Sequence, residues 1–85
     1  MALRTYTNPK VLSPKTVTNL KKAILVEVVA STSDTITVAE LTTITSVAVF
    51  NATTGVVVTA TVLTNVVTIT ESALTNVKLI VLAIG

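Results

Sequence analysis

The side chains best suited to chemistry in this sequence are four carboxylates, Glu27, Asp34, Glu40 and Glu71, and they stand singly along the chain. Histidine and cysteine are absent. General acid–base work needs a positioned pair of titratable groups, nucleophilic catalysis needs a hydroxyl or thiol beside a base, and metal catalysis needs a ligand cluster. The many serines and threonines have no base to activate them. Two glycines, Gly55 and Gly85, are too few for a phosphate-cradling loop. The expectation is a protein that is not an enzyme, with no cofactor, no metal and no small-molecule substrate. Asn51-Ala52-Thr53 matches the glycosylation triplet, but MALRTYTNPK has no apolar signal-peptide core. The triplet is therefore read as chance, and the chain is expected to be soluble and made in the cytoplasm.

Charge divides the chain unevenly. Arg4, Lys10, Lys15, Lys21 and Lys22 are five of the six basic residues, and no acid precedes Glu27. From residue 23 onward the four acids face Lys78 alone, so a +5 stretch precedes a body of −3. Asn8-Pro9 and Ser13-Pro14 break helices and push the residues before them into extended conformations. Hydrophobic periodicity is missing before Leu20. Residues 1–20 are accordingly expected to form an extended basic arm, and residues 21–85 a β domain. Such an arm suits an acidic partner, and Leu3, Tyr6, Val11 and Leu12 set apolar anchors between its charges.

The positioning elements read as strands. Gly55 to Thr70 looks like a β-hairpin: Val56, Val58, Ala60 and Val62 alternate with Val57, Thr59, Thr61 and Leu63, and Val67 and Ile69 alternate beyond a Thr64-Asn65 break. Asn65 tolerates the left-handed region that such a turn requires, and Gly55 can supply a positive φ at the preceding one. Ala23–Ala30, Thr35–Val38, Ser46–Asn51 and Val77–Ile84 complete a set of about six strands. Ala39–Thr45 is compatible with a helical turn or a loop. The fold class expected is all-β, a small antiparallel β-sandwich or barrel with an extended N-terminal arm.

The apolar content is 51%, yet Tyr6 and Phe50 are the only aromatic residues. Burial must come from small side chains, without disulfides or a structural metal to help. Several strands are apolar on both faces, and strands of that kind are covered on both sides. A homo-oligomer is expected, with Val29, Val57, Leu63, Ile80, Leu82 and Ile84 at the interface. A mean hydropathy of +0.85 would suit a membrane protein. The apolar runs Ala23–Ala30 and Leu79–Ile84 fall far short of the about 20 residues a spanning helix needs. The chain is also too short to form an outer-membrane barrel alone.

A short basic arm followed by a Thr/Val/Ala-rich β body resembles the small virion proteins of tailed bacteriophages, above all the capsid decoration (cement) proteins. DTITV from Asp34, VVVTATV after Thr54-Gly55, VVTIT after Asn65 and the closing VLAIG carry the likeness. The resemblance is compositional and architectural. It implies a trimer, or sometimes a dimer, on the outside of a capsid, with the arm lying along the major capsid protein and adding a strand to it. Leu3, Arg4, Tyr6, Lys10, Val11, Leu12 and Lys15 would then bind that partner, with Arg4, Lys10 and Lys15 facing its acids. Two other readings stay open: a self-assembling tail-tube or filament subunit using strand exchange, and a small adaptor or nucleic-acid-associated module. The last is disfavoured because the body lacks an aromatic stacking platform and any helix-turn-helix pattern.

Overall fold

A computed structural model describes residues 2–7, 9–12 and 23–85. Eight strands and no helix occur among them: β1 (Leu3–Arg4), β2 (Lys10–Leu12), β3 (Ala23–Ala30), β4 (Thr35–Thr37), β5 (Ser46–Asn51), β6 (Ala60–Leu63), β7 (Val66–Ile69) and β8 (Val77–Ile84). They make two four-stranded sheets, ordered β1-β4-β7-β6 and β2-β3-β8-β5. Every pairing is antiparallel except β1 with β4.

The count of eight corrects the expected six, and the two additional strands are β1 and β2. Both come from the stretch read as an arm, whose prolines and missing periodicity hide them. Residues 13–22, with Lys15, lie outside the described residues.

Alternation decides what each strand buries. Ile24, Val26, Val28 and Ala30 of β3 point inward, and so do Leu79, Val81 and Ala83 of β8. The facing sheet contributes Ile36, Val67 and Ile69, with Val38 just beyond β4. Because these side chains are branched and small, one core forms without an aromatic centre; Tyr6 packs at its margin. Ala39–Thr45 is a loop, and it still buries Leu41 and Ile44.

The chain changes sheets at both sides. The N-terminal segment runs from β1 at the edge of one sheet to β2 at the edge of the other. Residues between β5 and β6 make one of the further crossings, on the opposite side. The hairpin expectation is corrected there: Val56–Val58 is not a continuous strand. Val57 makes an isolated bridge to Phe50, Asn51 N–H donates to Val56 O (2.9 Å) and Val58 N–H donates to Val49 O (2.8 Å). This short stretch is bound to β5 before the chain leaves to become β6. Gly55 takes the positive φ of 74° that its turn requires.

At the β6–β7 turn the left-handed residue is Thr64, with φ 58°, and not Asn65. Asn65 instead fastens the turn to the neighbouring loop: its Nδ2 donates to Leu41 O (3.2 Å), and its own carbonyl accepts from Val38 N–H (2.9 Å). A β-branched residue is strained at positive φ by roughly 1–2 kcal/mol. Thr64 is exposed, so Thr64→Gly is expected to raise stability by about 1 kcal/mol in a urea melt, whereas Asn65→Ala should lower it.

Candidate partner-binding surfaces

The N-terminal segment is fastened to the body by one buried carboxylate. Ser31–Asp34 forms a turn closed by Asp34 N–H donating to Ser31 O (3.1 Å), with Ser33 at φ 72°. Asp34 Oδ2 accepts from Ser31 N–H (2.9 Å) and from Arg4 Nε (2.5 Å), while Oδ1 accepts from Ala2 N–H (3.0 Å). Thr35 N–H returns a bond to Ala2 O (2.8 Å). The other end of the guanidinium donates from Nη2 to Asn76 Oδ1 (2.9 Å), and Asn76 N–H donates to Ser31 Oγ (2.8 Å). These bonds hold the Asp34 carboxyl below its ordinary range: the Ser31 N–H contributes most, then Arg4 and Ala2, against the opposing effect of burial.

Tyr6 makes the second attachment. Its hydroxyl donates to the Glu40 carboxylate and accepts from Ala39 N–H (3.2 Å). Burial first, and then the bond to Glu40, push the phenol up to about 12. Asp34 and Glu40 therefore act as the receptors for the N-terminal segment. The sequence reading missed both. The one local signal was a serine three residues before a lone aspartate, the pattern of a side-chain-closed turn.

Of the residues expected to bind a partner, Arg4 and Tyr6 are engaged with the chain's own acids. Leu3 and Val11 are exposed, at 63% and 53%. Lys10 is exposed on β2, beside a depression lined by Leu25, Glu27 and Ile80. Leu12 ends β2. The two remaining acids also have partners within the chain: Glu27 pairs with Lys78 (3.4 Å), and Glu71 Oε1 accepts from the backbone and hydroxyl of Thr59, both at 3.2 Å. Glu27 and Lys78 are more than half exposed, so their pair adds little stability.

The outward faces of the two sheets differ in character. Register places Leu25, Leu82 and Ala48 in one row across the β3-β8-β5 face, Glu27, Ile80 and Phe50 in the next, and Ala23, Ile84 and Ser46 in a third. Val29 stands opposite Lys78, and Val57 extends the Ile80–Phe50 row through its bridge. Five of the residues expected at an oligomer interface, Val29, Val57, Ile80, Leu82 and Ile84, thus share one apolar face. The sixth, Leu63, belongs to the other sheet and is 79% exposed. The outward face of that sheet mixes Thr35, Thr37, Thr61 and Thr68 with Leu63 and Val66.

Protonation should report on these attachments. The folded Asp34 carboxyl lies below its unfolded value of 3.8, so it contributes stability that is present above that pH and is lost as pH falls through the folded value. Asp34→Asn is expected to lower the melting temperature at neutral pH and to flatten the acid limb of the stability curve. Tyr6 behaves oppositely. Its contribution is complete below its unfolded value of 10.0 and disappears as pH rises towards about 12. It is the chain's single tyrosine, so tyrosinate absorbance should titrate near 12 in the folded protein and near 10 in urea. A folded-state midpoint near 10 would mean that the N-terminal segment is not docked.

No family model, no curated protein and no solved structure matches this chain.

Proposed function

We propose that this chain is a structural virion protein, a small β-sandwich that decorates the outer surface of a capsid as a small oligomer. The observation that carries the reading is the set of apolar residues that share the outward β3-β8-β5 face. That face sets Val29, Ile80, Leu82 and Ile84 beside Phe50 and Val57, with the Glu27–Lys78 pair as its charges, whereas the other face mixes threonines with Leu63 and Val66. Apolar area of that kind is covered in a working assembly. In the proposed arrangement it forms the contact between copies, with a trimer expected from the resemblance to decoration proteins. The exposed part of the N-terminal segment, with Leu3, Lys10 and Val11, together with Lys15, faces the major capsid protein. Repetition of this contact over many copies adds avidity. The absence of any paired catalytic groups in the sequence agrees with a purely structural role.

Two measurements test it. Light scattering coupled to size exclusion should give a concentration-independent small oligomer, and Leu82→Asp should lower its mass by removing the contact through the apolar face. A wild-type monomer at all concentrations would overturn the oligomer. Capsid binding is tested by charge reversal, because deleting the N-terminal segment would also strip Asp34 of its partners. Lys10→Glu with Lys15→Glu should leave the melting temperature nearly unchanged and abolish co-sedimentation with capsids of the major capsid protein. Retained co-sedimentation would refute the role given to the arm.

A further inference from the structure

We infer that β6 is a docking edge for a second copy of this chain, and that two copies pair antiparallel through their β6 strands about a two-fold axis. The inference does not depend on the proposed function.

The backbone register supplies the first observation. Leu63 and Val66 flank the two-residue turn Thr64-Asn65 and pair directly, so the polar groups of Leu63, Thr61 and Thr59 point at the β7 side. The bond from Thr70 N–H to Thr59 O (3.0 Å) follows this parity. The N–H and C=O groups of Ala60 and Val62 consequently point away from β7, at the end of the sheet where no strand is paired among the described residues.

Charge supplies the second. Exposed edges are normally protected by charge, proline, bulges or extreme shortness. Among the described edge strands, β1 has two residues and carries Arg4 in an ion pair, β2 carries Lys10, and β5 is partly covered by its bonds to residues 56–58. β6 has none of these devices. No charged residue occurs anywhere from Leu41 to Thr70, although charges are frequent on the β1–β2 side of the molecule.

These observations select the occupant. A partner strand bearing charge would bring it against Thr61, Val62 and Leu63 with no counter-charge to meet it. Among this chain's described strands, the one uncharged edge with no segment bonded along it is β6 itself, since β5 is partly covered by residues 56–58. A pair about a two-fold axis matches Ala60 with the partner's Val62 in both directions, so all the outward backbone groups of the two strands are satisfied together. Thr61 then faces its own copy at a non-hydrogen-bonded position, where Cα atoms approach to about 4.5 Å, within disulfide range.

The chain has no cysteine, so the test is direct. Full-length Thr61→Cys, oxidised at low concentration, should become mostly covalent dimer. Thr37→Cys, exposed on the same sheet but on the inner strand β4, should remain largely unlinked. Leu63→Lys, at a position exposed enough to leave the fold intact, should halve the molar mass found by light scattering. Cross-linking of Thr61→Cys no greater than that of Thr37→Cys, or an unchanged mass for Leu63→Lys with an unchanged melting temperature, overturns the inference. Leu82→Asp reads the apolar face separately: if it dissociates the oligomer while Leu63→Lys does not, the β6 pairing fails and the proposed oligomer interface stands.

Discussion

The rest of the molecule hangs on the pairing of β3 with β8. The two strands run antiparallel over their full eight-residue lengths, from Ala23 opposite Ile84 to Ala30 opposite Val77. Period-two alternation lets this ladder do two things at once. Its inner rows, Ile24 with Ala83, Val26 with Val81 and Val28 with Leu79, supply six of the fifteen buried core residues among those described, and its outer rows create the apolar face. Neither strand can shift register by one residue without exchanging the two sets. β5 and β2 attach to its two sides, and the second sheet packs over its inner face.

The second constraint is polar. A carboxylate buried as deeply as Asp34 is tolerable only when its lone pairs are filled. Here the donors are Ser31, Arg4 and Ala2, and two of those three lie in the N-terminal segment. Order in the first residues and satisfaction of Asp34 are therefore one condition. This turns a basic stretch, which composition alone presents as a free arm, into an edge strand of each sheet.

The periodic strands were legible from the sequence because each carries its own pattern. Ala23–Ala30, Ser46–Asn51 and Val77–Ile84 have the expected bounds, and their inward residues are those that alternation selects. What could not be read depends on residues far apart in the chain. β1 exists through Asp34, thirty residues away, and its own sequence holds no alternation. Val56–Val58 has perfect strand composition, yet the chain crosses between sheets there, so packing overrides propensity. Thr64 takes the left-handed position because Asn65 is occupied with the 38–41 loop, a choice no local turn preference reveals. The shared outward face of Val29, Ile80, Leu82 and Ile84 could be anticipated strand by strand, but its junction with Phe50 and Val57 required the sheet order.

The place of β8 in that order has a consequence for how the chain comes to be made. β3 emerges from the ribosome long before β8, which is synthesised after more than half of the sequence has intervened and then inserts between β3 and β5. Until that happens β3 has only the short β2 beside it and β5 only the 56–58 stretch, and the core has no centre. The nascent chain must hold several β-branched, mostly uncharged segments open until β8 is made, so folding waits on long-range closure and is slowed by it. Chaperone demand during synthesis, more than the stability of the finished fold, should then limit the yield of soluble protein.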